Sequence, residues 1–311
     1  MTLVKTIAVT GATGFLGRRV AARLCSSGFA VRGLTRVPTG VRPHESMEVR
    51  GFDLLDQRSC EAGVAGCDGV VHLAAHVPAD KNASDQAARC MEVNALGTLT
   101  LLQAVEKRGV PFFVFMSLGN GYTPRPGLRR EDDPIFPSGH GSFYLASKLC
   151  AEIWVQHFAE CRGLAAAILR PSSVYGPGMP PVGLIPNLVE RLRRKAPATL
   201  HDGGRYAADF VYCDDVAAAT QVVVERQIRG VFNVGSGEVT SALAVARLVL
   251  GLVGGDESLL QVEASVPGSA APGFAGLDTS RMRTLLGIVP TPLDVGLRSY
   301  LDWASGGAGD R

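Results

Sequence analysis

Residues 10–17 read Thr10-Gly11-Ala12-Thr13-Gly14-Phe15-Leu16-Gly17, with three glycines at equal spacing. This stretch follows an apolar run at residues 7–9 and leads into an amphipathic segment at residues 18–25, which predicts a strand, a glycine turn and a helix. Glycines three residues apart let the backbone approach a pyrophosphate closely, and free N–H groups at a helix start favour an anion. The spacing is G-x-x-G-x-x-G, not the G-x-G-x-x-G of the commonest dinucleotide fingerprint. An ordinary tight turn is the alternative, but the position after the first strand favours a nucleotide turn.

Composition and charge are typical of a compact soluble enzyme. Hydrophobic residues make up 46% of the 311 residues and charged residues 19%, which argues against a disordered or fibrous chain. The 31 basic and 29 acidic side chains leave a net charge of +2. This balance gives no reason to expect a nucleic acid or a membrane as partner, so a small-molecule substrate is expected.

The cysteines and the start of the chain favour a cytoplasmic protein. The seven cysteines are odd in number, scattered and without a C-x-x-C pair, which is typical of reduced thiols. The first predicted strand begins almost at Met1 and leaves no room for a signal peptide, and the apolar stretch 243–253 is too short to span a bilayer. His72 and His76 are four residues apart, but His72 ends a strand, so no metal site is predicted.

Apolar strand patterns and amphipathic helix patterns alternate along the chain. The pattern predicts strands at residues 6–10, 30–35, 70–73, 112–117, 165–170 and 230–234, and helices at residues 15–26, 91–108 and 142–161. The strands are too apolar to have one wet face. We therefore predict an α/β fold, a Rossmann-type doubly wound parallel sheet covered by helices on both sides.

A change of pattern after residue 170 predicts a second, smaller domain. The chain there becomes rich in proline and glycine over residues 171–183. We predict a dinucleotide-binding domain over residues 1–170, to which residues 209–236 return. Residues 171–208 and 237–303 are predicted to form a C-terminal substrate-binding domain over the carboxyl ends of the strands, and residues 304–311 a disordered tail.

The end of the second predicted strand bears on the choice of cofactor. Arg36 follows that strand, where an acidic residue would bind the ribose hydroxyls of NAD and an arginine the 2′-phosphate of NADP. Arg36, helped by Arg32 or Arg18, favours NADP over NAD, and a solvated surface arginine is the alternative. Asp53 and Leu54 follow the next apolar stretch and are predicted to contact the adenine ring, with a turn or helix cap as the alternative for Asp53.

Tyr144 and Lys148 carry the chemistry predicted from the residues themselves. They are four residues apart, so on a helix they share one face. A tyrosine with a pKa of about 10 is a poor base at neutral pH, but a neighbouring ammonium and an oxidised nicotinamide stabilise the phenolate. Tyr144 is therefore predicted to move a proton on and off a carbinol oxygen while a hydride moves to or from the cofactor.

Together these motifs resemble the extended short-chain dehydrogenase/reductase superfamily, in its NAD-dependent epimerase/dehydratase branch. The resemblance covers nearly the whole chain and includes further motifs in the family's order, namely Asp53-Leu54, His72-Leu73-Ala74-Ala75, Asn94, Glu152, Arg170-Pro171-Ser172-Ser173-Val174-Tyr175-Gly176-Pro177, residues 209–215 and residues 233–237.

The resemblance implies a bound nicotinamide dinucleotide, a small C-terminal domain that closes over the substrate, and a homodimer built on the helices near Leu96 and Tyr144. By motif, the residues implied to bind the cofactor are Gly11, Thr13, Gly14, Phe15, Leu16, Gly17, Arg36, Asp53, Leu54, Leu73, Ala74, Ala75, Asn94, Tyr144, Lys148, Pro171 and Ser173.

The first departure from the family pattern lies after the fourth strand of the motif order. The family has a Ser or Thr there that orients the substrate oxygen, whereas this chain has Leu118 in that place and Ser117 before it. Either Ser117 serves through a shift of one residue, or Asn120 supplies the donor, or turnover is impaired. Loss of one orienting hydrogen bond costs orders of magnitude in rate without abolishing the reaction.

The second departure lies near the expected substrate. Nucleotide-sugar members carry an arginine before Asp209, where this chain has Ala208, with Arg205 nearby as a substitute through a different loop path. Ser173 also replaces an asparagine that is usual in sugar-nucleotide enzymes. These differences weaken a UDP-sugar epimerase interpretation and strengthen a carbonyl reductase one.

The resulting hypothesis is an NAD(P)-dependent oxidoreductase of the epimerase/dehydratase type that transfers a hydride at a secondary alcohol or ketone of a sugar or nucleotide sugar. Tyr144 is the acid/base, Lys148 lowers its pKa and holds the nicotinamide ribose, and Ser117 orients the carbonyl. One alternative is an NADPH-dependent ketone reductase resembling dihydroflavonol reductases. Another is a dinucleotide-responsive regulatory protein with impaired catalysis.

Overall fold

Seven parallel strands form the central sheet, in the order β10-β6-β5-β4-β1-β2-β3. The computed structural model describes residues 5–37, 44–80, 82–123, 125–136, 141–265 and 273–306. The strands of this sheet are β1 Thr6–Thr10, β2 Ala30–Thr35, β3 Glu48–Gly51, β4 Gly69–His72, β5 Phe112–Met116, β6 Ala165–Pro171 and β10 Gly230–Val234. The strand order reverses beside β1, and the loops after β1 and β4 separate there to open a crevice at the carboxyl ends of the strands.

Helices cover both faces of the sheet. They are α1 Phe15–Ser26, α2 Gln57–Val64, α3 Ala87–Cys90, α4 Gly97–Arg108, α5 Ser142–Cys161 and α7 Cys213–Arg226, with a π-helical turn at Met91–Leu96 between α3 and α4. Helices α1 and α7 pack in one apolar core with β1 and β6, and α2, α4 and α5 pack in a second core on the other face. The predicted doubly wound parallel sheet is therefore confirmed.

The predicted elements agree with the observed ones to within a residue or two at each end, apart from the π-helical turn inside the segment predicted as one helix at residues 91–108. Around the large sheet, the elements β3, α2, α3 and α7 were not predicted. The strand β3 reads Glu-Val-Arg-Gly and is mostly exposed at the sheet edge, so it lacks the apolar run that marks the buried strands.

A smaller unit assembles from the later part of the chain. It contains β7 Ser173–Tyr175, β9 Ala207–Tyr212 and β11 Val239–Ser241 in one sheet, the pair β8 Ala198–Leu200 and β12 Leu260–Val262, and the helices α6 Leu184–Arg193, α8 Ala242–Leu252 and α9 Leu293–Ser305. A third apolar core holds it together. None of the helices within the described residues combines the length and the apolar character needed to cross a bilayer.

The strand pairing adjusts the predicted domain bounds. Residues 209–212 belong to β9, which pairs with β7 and β11 and not with the large sheet, so the chain returns to the large sheet only with α7 and β10. Helix α9 continues to Ser305, so residues 304 and 305 are helical and not part of a disordered tail; residues 307–311 lie outside the described residues. With these changes, the division into a cofactor domain and a substrate domain stays a prediction.

Candidate active site

The turn after β1 has no room for side chains at two of its glycines. Gly11 has a φ of +68° and its N–H donates to the Leu34 carbonyl at 2.9 Å. A Cβ on Gly17 would lie 2.0 Å from the carbonyl oxygen of Gly11, because α1 packs directly on the turn. The first glycine is thus required by backbone conformation and the last by packing.

The start of α1 presents free N–H groups at this turn. Gly14 is the N-cap residue and no side chain caps the helix. The N–H of Arg18 bonds to the Gly14 carbonyl, so the N–H groups of Phe15, Leu16 and Gly17 have no intrahelical acceptor. Beside them the hydroxyls of Thr13 and Thr35 lie 3.1 Å apart. This cradle fits the pyrophosphate of a dinucleotide, which would take the place of a capping side chain.

A buried hydrogen-bond chain connects the turn after β1 to the loop after β4. The Thr10 hydroxyl accepts from the N–H groups of Leu73 and Ala74 at 3.2 and 3.1 Å, and donates to Nδ1 of His72 at 2.7 Å. Nε2 of His72 donates in turn to the Thr98 hydroxyl at 2.9 Å. Burial, and then the charge of Lys148, lower the pKa of His72 well below its ordinary value. His72 is thus a neutral structural link.

Asn94 holds the same loop against α5. Its Oδ1 accepts from the N–H of His76 at 2.7 Å, and its Nδ2 donates to the His76 carbonyl at 3.0 Å and to the Ser147 hydroxyl at 2.9 Å. The amide is 1% exposed, so its hydrogen bonds are used within the protein. The structure therefore places Asn94 as a positioning residue between the predicted cofactor loop at residues 73–75 and the helix of Tyr144, and its predicted cofactor contact stays untested.

Tyr144 and Lys148 lie one turn apart on α5, as predicted. Tyr144 is half-buried at the wall of a large cavity, whereas Lys148 is buried, with its Nζ 4.1 Å from the centre of the Phe115 ring. Burial lowers the pKa of Lys148 to about 7, although Glu152 acts to raise it. Burial, and to a smaller extent Cys90, raise the pKa of Tyr144 to about 12. Lys148 is not among the groups that shift the pKa of Tyr144 here, and the prediction that Lys148 lowers this pKa, made for the cofactor-bound site, stays a prediction.

Ser117 has a different partner from the one predicted. Its hydroxyl donates to Oε2 of Glu152, and Glu152 also forms a buried ion pair with Arg170. A serine has one hydroxyl proton, and here it is given to the carboxylate. Ser117 lines the cavity with its hydroxyl bonded to Glu152, and the prediction that it orients the substrate oxygen stays a prediction. The buried Glu152–Arg170 pair had no predicted role, because its two members are 18 positions apart and meet only in the folded chain.

Leu118 and Asn120 line the cavity beside Tyr144. Leu118 is 8% exposed and supplies no hydrogen bond from its side chain, so the usual hydroxyl is absent at this position. Asn120 is half-buried, and its amide has no partner among the described residues. Of the donors predicted to replace the hydroxyl, Asn120 is therefore the one whose side chain remains free.

Some arginines predicted to bind the adenosine end of the cofactor have no ion-pair partner among the residues that the structure describes, whereas another is hydrogen-bonded within the protein. Arg36 is exposed after β2 and has no ion-pair partner within the described part of the chain. Arg32, predicted as its helper, donates instead to the carbonyls of Gly63 and Ala65 at 3.0 and 2.8 Å and is therefore a structural residue. Arg18 is half-buried on α1, and no ion pair is described for it.

Asp53 and Leu54 have structural contacts of their own. Oδ1 of Asp53 accepts from the N–H of Leu55 at 3.0 Å, as expected if Asp53 is a turn residue. The N-cap residue of α2 is Asp56 and not Asp53. Leu54 is 5% exposed and packs against Gly97, where an added Cβ would lie 2.7 Å from its Cγ. Their predicted contacts with adenine stay predictions.

A cavity of about 1320 Å³ lies between the two units, at the carboxyl ends of β5 and β6. Its wall includes the predicted residues Tyr144, Pro171 and Ser173, and it reaches Leu184 and Phe274 in the smaller unit. A volume of this size accommodates a ligand larger than a monosaccharide. The structure therefore brings the predicted acid/base to the mouth of a pocket formed by both units.

The position before Asp209 provides no charge to this cavity. Ala208 is fully buried, and Arg205 makes a bidentate ion pair with Asp202 at 2.7 and 2.9 Å. Asp209 accepts from Ser172, from the backbone and hydroxyl of Ser236, and from the N–H groups of Gly237 and Leu277. The predicted substitution of Arg205 for the missing arginine is not supported, because its guanidinium is held by Asp202.

The parallel sheet, the glycine turn and the tyrosine–lysine pair define an extended short-chain dehydrogenase/reductase. The profile of the NAD dependent epimerase/dehydratase family matches residues 7–235, and the chain belongs to that family.

Several known proteins are similar to this chain over almost its whole length. The chain is 29% identical over 310 residues to a dTDP-glucose 4,6-dehydratase of Streptomyces griseus, covering 95% of this chain and 92% of the relative. A UDP-glucose 4-epimerase of Thermotoga maritima, solved with UDP-glucose, superimposes with a TM-score of 0.85 at 26% identity, covering 97% of this chain and 99% of the other. A UDP-glucose 4-epimerase of Thermus thermophilus in complex with NAD gives a TM-score of 0.84 at 28% identity, covering 97% and 100%.

Proposed function

We propose that this protein transfers a hydride, with NAD or NADP as cofactor, at a secondary alcohol or ketone of a sugar carried on a nucleoside diphosphate. The observation that carries the proposal is the placement of Tyr144 in the cavity wall with Lys148 buried one helical turn behind it. The relatives solved with UDP-glucose and with NAD support the substrate class and the cofactor.

The chemistry divides between the cofactor and the chain. A nicotinamide dinucleotide supplies the hydride acceptor or donor when it is bound. The Tyr144 phenolate takes the proton from the carbinol oxygen, or in the reverse direction the Tyr144 phenol gives its proton to the ketone oxygen. Lys148, once protonated, stabilises the phenolate. The Asn120 amide donates to the same substrate oxygen in place of the missing hydroxyl. Thr10, His72 and Asn94 hold the loop at residues 73–75 against the glycine turn.

The test of this assignment is Tyr144→Phe. Removal of the hydroxyl should lower kcat by about 10²- to 10⁴-fold, because proton transfer is lost while binding remains. The readout is the absorbance of reduced nicotinamide in a single turnover after mixing with UDP-glucose or dTDP-glucose. Tyr300→Phe, on α9 and away from the cavity, is the control. Undiminished hydride transfer in Tyr144→Phe would overturn the assignment.

The choice between NAD and NADP rests on Arg36. We propose that its free guanidinium favours the 2′-phosphate of NADP. Titration of NAD, NADH, NADP and NADPH against wild type and Arg36→Ala tests this, with the exposed Arg298→Ala as control. NADP affinity that falls in Arg36→Ala, with NAD affinity unchanged, supports it. NAD that co-purifies and is unaffected by Arg36→Ala contradicts it.

Two other functions from the sequence stay as alternatives. The absence of an arginine at position 208 and the free Arg36 favour an NADPH-dependent ketone reductase, which consumes cofactor stoichiometrically with product. Leu118 at the hydroxyl position favours a dinucleotide-responsive regulatory protein, which binds cofactor without turnover and is indifferent to Tyr144→Phe. The moles of cofactor consumed per mole of product separate the proposed enzyme from the reductase, and cofactor binding without product formation identifies the regulatory protein.

We propose a homodimer, in line with the family resemblance. Exposed apolar side chains gather on and near the predicted interface helices, namely Met91 and Leu96 in the π-helical turn and Phe143 and Ile153 on α5. Such a patch on neighbouring helices is typical of a protein interface. The cytoplasmic location remains a prediction from the sequence.

A further inference from the structure

Arg129 is the single buried residue within the exposed segment from Arg125 to Arg130. Its side chain is 1% exposed. Its backbone is fixed from both sides, because its N–H donates to the Gly276 carbonyl at 2.8 Å and its carbonyl accepts from Asp278 and Asn233. The backbone of Arg129 is thus anchored where this residue lines the cavity.

The Arg129 guanidinium lacks acceptors for most of its protons. Its Nη2 donates to the carbonyls of Arg125, Pro126 and Gly127. Its Nε and Nη1 are buried without a hydrogen-bond partner among the described residues. The nearby carboxylate of Asp133 is occupied by the side chain of Arg125 and by the N–H of Arg130. A buried cation without a counter-ion is unfavourable, so a site of this kind is complete only with an added anion.

The charges around the cavity agree with an anionic ligand. Arg125 and Arg129 are the lysine and arginine side chains among the described lining residues, and Asp80 is the one carboxylate there. The alternative cation near β9 is missing, because residue 208 is alanine and Arg205 is paired with Asp202. Because Arg125 is paired with Asp133, the unpaired positive charge among the described lining residues comes from Arg129.

We propose that Arg129 forms the oxyanion subsite of the substrate pocket and binds the diphosphate of the nucleotide. The proposal rests on the proposed function, which places a nucleoside diphosphate in this cavity. A phosphate oxygen accepts from Nε and Nη1 of Arg129 in the forked geometry that guanidinium groups offer to oxyanions. The subsite replaces the arginine that would otherwise stand at position 208.

The test is calorimetric binding of UDP, dTDP, inorganic pyrophosphate and neutral uridine. The proteins are wild type, Arg129→Met, Arg129→Lys and, as matched control, Arg130→Met, whose side chain is exposed and pairs with Asp132. We expect Arg129→Met to raise the Kd of UDP and dTDP by about 10- to 100-fold, with uridine unaffected, because charge-assisted hydrogen bonds are lost. Arg129→Lys should be intermediate, since it keeps the charge without the fork, and Arg130→Met should match wild type.

The outcomes separate this subsite from the proposed function. If UDP or dTDP binds wild type and Arg129→Met equally well, the subsite is wrong while a nucleotide substrate stands. If pyrophosphate binding depends on Arg129 but nucleotides do not bind, the subsite stands and the nucleotide-sugar function falls. Failure of wild type to bind any of the three anions overturns the subsite. A lower Tm of ligand-free Arg129→Met combined with unchanged Kd values assigns Arg129 to clamping its own loop, which also overturns it.

Discussion

Lys148 is a buried cation whose protonation is coupled to folding. Its pKa is lowered from 10.5 to about 7 by burial, so between these values the unfolded chain binds one more proton than the folded one. The free energy of unfolding therefore rises with pH across that interval. Below a pH of about 7 both states are protonated and the full cost of the buried ammonium is present.

Lys148→Met should remove this pH dependence. We expect the ligand-free variant to be more stable than wild type at about pH 6, by on the order of a few kcal/mol, and the difference to shrink towards about pH 9. Urea denaturation at several pH values measures it, with the exposed Lys5→Met as control. Parallel stability curves for Lys148→Met and wild type would show that the lysine keeps its ordinary pKa in the folded protein.

Asn120 is expected to carry the role that the family gives to a hydroxyl. Asn120→Ala should lower kcat by about 10²- to 10³-fold, because one preorganised donor to the reacting oxygen is lost. Single-turnover hydride transfer measures it, and Gln261→Ala on β12 is the control. If Asn120→Ala turns over like wild type, the donor is another group.

Among the secondary-structure elements, the packing of α1 on the glycine turn leaves no room for a side chain at residue 17. Gly17→Ala should destabilise the protein by about 1–3 kcal/mol, because its Cβ would meet the Gly11 carbonyl oxygen and push α1 off the turn. NAD binding should weaken at the same time, since the helix start is displaced. Denaturation and calorimetry measure the two effects.

Gly251→Ala is the matched control for this change. It also places an alanine in a helix, but a Cβ there meets nothing within 4 Å, so it should stabilise α8 by about 0.5–1 kcal/mol. Equal effects at residues 17 and 251 would mean that helix propensity, and not contact with Gly11, decides the outcome.

For the whole molecule, the expected assembly is testable on the face formed by the π-helical turn and α5. Leu96 is 52% and Ile153 55% exposed, and charges there would be buried unpaired in a dimer. The double variant Leu96→Lys and Ile153→Lys should therefore be a monomer by light scattering. The control Val289→Lys changes a side chain that is 73% exposed elsewhere and should stay dimeric. A monomeric wild type, or a dimeric double variant, would contradict the proposed interface.

The sequence was sufficient to predict those elements that are marked by a local residue pattern. The glycine turn, the ends of α1 and α5 and the placement of Tyr144 and Lys148 on one face follow from residue spacing, because helix geometry is set by neighbours within a few positions. The buried strands are recognisable for the same reason, as short apolar runs between turns. The exposed edge strand β3 and the short strands of the smaller unit have no such run, and they form because other segments lie beside them.

The protonation state and the hydrogen-bond partners of the functional groups depend on long-range contacts. Ser117 meets Glu152, Arg32 meets the end of α2, and Arg129 is left buried beside Gly276, although no spacing in the chain indicates these contacts. The pKa values of Tyr144 and Lys148 likewise depend on solvent excluded by distant segments. Local sequence pattern specified the buried strands of the large sheet, the helices α1 and α5, and which residues could react. Only the folded chain decided which of those residues are free, because hydrogen bonding and burial are set by segments far apart in sequence.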